Sequence, residues 1–136
     1  AGSTRAAGYG ARKMAEHKTK SRDATVVIAQ IEDADALDHL DDIFAVGLMD
    51  AFFIGRADLS VSLGVEGPND VIVFEAVEAI CAKGREAGTT IGMFTANLDE
   101  IPKWRAAGAS LFLLGSDHSF MLSGATALTQ TVRAHF

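Results

Sequence analysis

The 136-residue sequence holds one cysteine, one tryptophan and one tyrosine, and its twelve Lys and Arg residues are outnumbered by eighteen Asp and Glu. Each shortage excludes something. A single cysteine, Cys81, excludes an internal disulfide framework. It falls in the apolar-periodic stretch from Val73 to Ala82, and nothing near it suggests the electropositive, accessible setting that a catalytic thiol needs. It therefore reads as a buried helix thiol, and a cytoplasmic location suits it. The acidic balance, a formal net charge of −6, leaves no basic patch for a nucleic-acid partner. The longest apolar run, near Asp50 to Ile54, is far too short to span a bilayer, so no membrane partner is expected. No signal peptide is visible at the start. No Gly-x-Gly-x-x-Gly or Walker sequence is present, so nucleotide binding has no motif behind it.

What is present is apolar mass: 49% of residues are hydrophobic, enough for a real core and incompatible with disorder. It is arranged as a short apolar run followed by a helical stretch, repeated four times. The runs are Thr25 to Ile31, Ala51 to Gly55, Thr89 to Phe94 and Ser110 to Gly115. They are continuous rather than alternating, as in parallel strands buried on both faces. The intervening stretches predict helices over Asp35 to Val46, Asn69 to Ala87, Leu98 to Ala107 and Ser119 to Ala134. Asn69 or Asp70 caps the second, Gly88 ends it, and Pro102 sits in the first turn of the third. The second run ends in Arg56-Ala57-Asp58, and a loop with Gly64, Gly67 and Pro68 follows it. Ahead of the first strand lies a Gly-rich start and a basic helical stretch, Arg12 to Lys20. No linker interrupts residues 1–136, so one domain is expected.

Four successive βα units imply a parallel sheet with helical crossovers, either an open doubly wound sheet or a piece of a (βα)8 barrel. In both, polar chemistry gathers at the carboxyl ends of the strands. The residues there are Gln30, Glu32, Asp58, Phe94, Asp117 and His118. Glu32 and Asp58 are the sharpest pair, each following an apolar strand directly. Two carboxylates in one mouth repel unless a cation or a shared proton compensates, and oxygen ligands suit Mg²⁺ or Mn²⁺. The alternative is that both cap the helices that follow them. His118 reads as a loop histidine, with a proton-transfer group or a metal ligand as the alternatives. His17, His39 and His135 read as solvated, and Trp104 as a packing residue.

Two stretches bear on that choice. One is Gln30-Ile31-Glu32 with Ala36-Leu37-Asp38 and Ile43-Phe44-Ala45-Val46. The other is Phe53-Ile54-Gly55-Arg56-Ala57-Asp58-Leu59-Ser60-Val61-Ser62-Leu63-Gly64. Together they resemble the HpcH/HpaI aldolases, the class II pyruvate-dependent aldolases. Gly2-Ser3-Thr4-Arg5 resembles the Gly-x-Arg loop of that family, and Gly115-Ser116-Asp117 its last strand end. The resemblance implies a modified TIM (β/α)8 barrel, of which this chain is the C-terminal half. It implies a lyase that splits a 4-hydroxy-2-oxo acid into pyruvate and an aldehyde through a metal-stabilised pyruvate enolate. Glu32 and Asp58 would be the ligands of the divalent metal (Mg²⁺ or Mn²⁺, with Co²⁺ a further candidate). The N–H groups of Ala57 and Asp58 would bind the substrate carboxylate. Gln30 would be catalytic and contact substrate or metal-bound water, and Phe94 would line the aldehyde side. Homo-oligomers are usual in the family, with the last helix as an interface.

Arg56 departs from the pattern, since the family usually has proline there. It enters as a catalytic candidate that binds a substrate carboxylate, or else as a salt-bridge partner. The family's histidine base and a second arginine belong to the barrel half preceding the Gly-x-Arg loop, upstream of Ala1. The resemblance thus implies a segment that binds Mn²⁺ weakly and turns over little alone. An acyl-CoA lyase of the citrate lyase β type is the alternative enzyme, and a non-enzymatic half-barrel assembly module the alternative outside enzymology. A whole (βα)8 barrel takes about 250 residues, so 136 residues read as half of one.

Overall fold

The computed structural model describes residues 4–136. Gly2 and Ser3 of the Gly-x-Arg resemblance lie outside the described residues. Among the described residues, four parallel strands form one sheet: β1 (Ile28–Ile31), β2 (Ala51–Ile54), β3 (Ile91–Phe94) and β4 (Ala109–Leu113). Their spatial order is their order in the chain. Pairing aligns Gln30 with Phe53, Ile54 with Met93 and Phe94 with Leu113. A doubly wound sheet reverses its strand order at a switch point, whereas a barrel adds each new strand on the same side. The unbroken order is therefore that of half a (βα)8 barrel.

Among the described residues, six α-helices accompany the strands: α1 (Met14–Ala24), α2 (Leu40–Ala45), α3 (Arg56–Ser62), α4 (Val71–Glu86), α5 (Ile101–Ala107) and α6 (Asp117–Arg133). The core lies between the sheet and α4, which packs on α2, α3 and α5. Val73, Val77, Ile80 and Cys81 line the inner face of α4, and they meet Ile54, Ile91, Met93 and Trp104. Asp70 caps α4 by accepting a hydrogen bond from the Ile72 N–H. Gly88, at φ +68°, ends it in the left-handed conformation that a side chain resists. Pro102 sits in the first turn of α5, where its missing N–H costs nothing.

The structure corrects the sequence-based expectations at several points. Burial on both faces holds for central β2 and β3 but not for the edge strands β1 and β4, whose Ile28 and Leu113 are 44% and 54% exposed. As an edge strand, β1 has a neighbour on one side only. Its regular pairing starts at Ile28 rather than Thr25. Before it, Val27 is held by Asp50, whose carboxylate takes the Val27 N–H at 2.7 Å. The helix expected over Asp35 to Val46 is a 3-10 turn, Ala34–His39, followed by α2. The Asp33 side chain draws the Asp35 N–H into a local cap, and His39 leaves the helical region at φ −121°. The strand end expected at Arg56-Ala57-Asp58 and the start of the loop after it are instead α3, which places Ala57 and Asp58 in a helical first turn.

The basic stretch near the start forms α1, with no buried residue. His17 on it is partly buried rather than solvated, and its Nδ1 has no partner. Among the described residues, no helix is long and apolar enough to cross a membrane.

Candidate active site

A cavity of about 540 Å³ opens at the carboxyl ends of β1, β2 and β3. Gln30, Gly55, Ala57, Asp58 and Phe94 line it, together with Arg56. Glu32 is not on the lining but touches two residues that are. Its Oε2 accepts a hydrogen bond from Gln30 Nε2 at 2.8 Å. It also lies beside Gly55, where an added Cβ would stand 2.7 Å from Oε2. The structure therefore brings Gln30, Glu32, Gly55 and Asp58 to one strand-end mouth.

The local reasons are legible in the backbone. The Gly55 N–H pairs with the Ile31 carbonyl, so the end of β2 is drawn against the residue preceding Glu32. At Gly55 the chain turns directly into α3, whose Leu59 and Ser60 are buried. That turn leaves Asp58 exposed in the first helical turn, where a carboxylate is favoured by the helix dipole. The N–H groups of that turn have no carbonyl one turn back to bond with. Phe94, at the end of β3, is 44% exposed and adds an apolar wall.

Arg56 points the other way from a free catalytic cation. It is 8% exposed, and its Nη1 bonds Glu100 Oε2 at 2.7 Å. Its Nε and Nη2 donate to the Pro68 carbonyl, and Nη2 also to Asn69 Oδ1. The guanidinium lies 5.0 Å from the centre of the Phe74 ring and 5.5 Å from that of Trp104. Its charge is met by Glu100, and its planar fork ties the segment before α4 to the start of α5. Glu100 Oε2 also accepts the Trp104 indole N–H at 2.9 Å. Burial disfavours ionisation of Glu100. The hydrogen bonds from Trp104 and Arg56, with the charges of Arg56 and Lys103, outweigh it and hold the carboxyl below its ordinary range.

Spacing alone singles out none of Asn69, Thr95, Asn97 or Glu100 as part of this cavity, yet all four line it. Thr95 is 2% exposed and donates its hydroxyl to the Asn97 carbonyl. Asn97 caps the turn before α5 through the Asp99 N–H. The available sequence signal was a polar residue ahead of each helix, which reads equally well as a cap. His118 stands apart at the start of α6, paired with Asp117 at 2.9 Å, and both are exposed.

Among the described residues, no group of three or more His, Cys, Asp or Glu side chains is placed to hold a metal ion. Any cation at this mouth would rest on two carboxylates, leaving its other positions to water or substrate. The donor set fits that arrangement: hard oxygen ligands at strand ends, with Glu32 oriented by Gln30 and seated against a residue that has no Cβ.

The sequence model of one family, described as HpcH/HpaI aldolase/citrate lyase, matches residues 3–123. A protein of Paraburkholderia phytofirmans named hydroxypyruvate/pyruvate aldolase is 34% identical over 135 residues, which is 98% of this chain and 51% of that protein. A 4-hydroxy-2-oxo-heptane-1,7-dioate aldolase of Shigella sonnei is 32% identical over 117 residues, covering 85% of this chain and 45% of its own length. The crystal structure of an HpcH/HpaI aldolase/citrate lyase family protein from Burkholderia cenocepacia J2315 superposes with a TM-score of 0.83 at 31% identity. That match covers 98% of this chain and 51% of the other. The chain thus spans about half the length of the relatives it matches.

Proposed function

Because the chain belongs to the HpcH/HpaI aldolase/citrate lyase family, we propose that it carries the metal-ligand half of a divalent-metal-dependent pyruvate aldolase. The reaction is cleavage of a 4-hydroxy-2-oxo acid to pyruvate and an aldehyde, and its reverse. One observation carries this reading: the strand-end cavity joins Gln30, Ala57, Asp58 and Phe94 and abuts Glu32. The names of the relatives, both aldolases of 2-oxo acids, support it.

Glu32 and Asp58 would hold the cation, and when bound it supplies Lewis-acid polarisation of the 2-oxo group. The remaining roles fall to the chain itself. Gln30, by donating to Glu32 Oε2, fixes that carboxylate and keeps its second amide hydrogen for substrate or water. The first-turn N–H groups of Ala57 and Asp58 receive the substrate carboxylate, with the α3 dipole favouring the negative charge. Phe94 excludes water on the aldehyde side. Arg56, its donors engaged, is assigned to holding the wall of the cavity rather than to the chemistry.

Mn²⁺ titration followed by electron paramagnetic resonance tests the assignment. The native chain is expected to bind Mn²⁺, and Glu32→Ala and Asp58→Ala are each expected to weaken binding at least about tenfold, the loss already usual for a group that only orients a ligand. Binding that is absent, or indifferent to both substitutions, overturns it. A second assay separates the enzyme classes: carbon–carbon cleavage of a 4-hydroxy-2-oxo acid is expected to exceed cleavage of an acyl-CoA thioester.

A further inference from the structure

The cavity has a second wall that the reading above leaves without a task. It is formed by Pro68 and Asn69 on one side and the segment Thr95 to Glu100 on the other. The hydrogen bonds on this wall fix which atoms of its side chains are already engaged. Asn69 Oδ1 accepts from Arg56, and a guanidinium has no acceptor, so the amide orientation is forced. Asn97 Oδ1 accepts from a backbone N–H, which forces its orientation likewise. Each asparagine therefore keeps its Nδ2 group, without a partner among the described residues. Both donors to Glu100 fall on Oε2, which leaves Oε1 as an acceptor.

Charge limits what this wall can take. The ionisable groups lining the cavity are Arg56, Asp58 and Glu100. Arg56 is the one cation among them, and Glu100 neutralises it at 2.7 Å. If a divalent ion balances Glu32 and Asp58, the second wall is left with a closed ion pair, two amide donors and one carboxylate acceptor. A hydroxyl both accepts from an amide N–H and donates to Oε1. A carboxylate would meet Glu100 with no uncompensated cation on this lining.

We propose that this second wall is a subsite for an uncharged, hydroxyl-bearing aldehyde tail, read by Asn69 and Asn97, with Arg56 as the positioning residue that holds it. The subsite's place in catalysis rests on the aldolase reading; its polarity rests on the residues alone. Arg56 acts through others. It pins Asn69 by Nη2 and Glu100 by Nη1, so the donors and the acceptor of the wall keep a fixed spacing.

Nuclear magnetic resonance titration of the ¹⁵N-labelled chain tests this with propane-1,2-diol and propionate, two probes of equal carbon number. In the native chain the diol is expected to shift the side-chain NH₂ signals of Asn69 and Asn97, and propionate to shift them at least fivefold less at equal concentration. Glu100→Gln leaves Arg56 with an uncompensated charge, and propionate is then expected to match or exceed the diol. Arg56→Lys keeps a cation but loses the fork that bonds Asn69 and Glu100 together. The diol shift of the Asn69 NH₂ signals is then expected to fall at least about threefold, while the backbone signals of the core stay native-like. An undiminished shift in the folded variant would remove Arg56 as the positioning residue. Equal responses to both probes in the native chain, or an unchanged preference in Glu100→Gln, overturn the proposal. The Mn²⁺ titration separates the two readings: if diol preference persists while carboxylate-dependent Mn²⁺ binding fails, the subsite stands and the aldolase assignment falls.

Discussion

Gly55 lies so close to Glu32 that a Cβ at residue 55 would stand 2.7 Å from Glu32 Oε2 and 2.9 Å from Glu32 Cβ. The second contact matters more, because a Cβ is fixed to the backbone and cannot swing aside. A side chain at 55 must therefore push β1 away from β2 or drive Glu32 out of its seat, and with it Gln30, whose Nε2 is also within contact range. Gly55→Ala is expected to cost about 1–3 kcal/mol of stability, the usual cost of overpacking. It is also expected to weaken Mn²⁺ binding at least about tenfold, the scale of losing support behind a ligand. Thermal denaturation and Mn²⁺ titration of one sample read both. Unchanged metal affinity in the folded variant would dissociate Glu32 from the ligand set.

Much of the fold was legible because its signals are local. Apolar runs marked the strands, and Gly88 and Asp70 marked the ends of α4. What escaped was either short or non-local. The helix α3 is seven residues long, too short for periodicity to stand out, although Leu59, Leu63 and the following Gly64 carried a faint version of the signal. The exposure of β1 escaped because the chain does not say which strand is an edge. Glu32 and Asp58 were legible as carboxylates directly after strands. The partner of Arg56 was not: Glu100 lies 44 residues away, and only the packing of α5 beside α4 brings the two together.

The same pair makes acid stability informative. Glu100 ionises below the ordinary carboxylate range in the folded chain, against the penalty of burial, because Trp104 and Arg56 bond its charged form. A depressed folded value means that its contribution is complete above the pKa of the unfolded chain and is lost as pH falls through the folded one. Native stability is therefore expected to decline below the ordinary glutamate range. Glu100→Gln, which has no proton to take up, is expected to be less stable at neutral pH, because it weakens a largely buried pair, and to show a shallower decline with acid. Urea denaturation at a series of pH values measures both slopes. Parallel slopes would show that Glu100 does not bind its proton more weakly when folded.

Cys81 offers an independent clock for unfolding. It is fully buried on the inner face of α4, and burial, with the charge of Glu78, pushes its thiol up to about 11. Reaction with a disulfide reagent requires the thiolate and access to it, and the folded chain denies both at neutral pH. Labelling is expected only through opening of α4 from the sheet, so its rate should rise in step with the global unfolding equilibrium as denaturant is added. Gly108 lies at φ +130°, and its Cβ position is 2.9 Å from the Cys81 carbonyl oxygen, so Gly108→Ala should loosen the same contact. That variant is expected to label faster than the native chain by the factor its stability loss predicts. Rapid labelling of the native chain without denaturant would mean that α4 opens locally, and that the core around Val77, Ile80 and Trp104 is not the cooperative unit its burial implies.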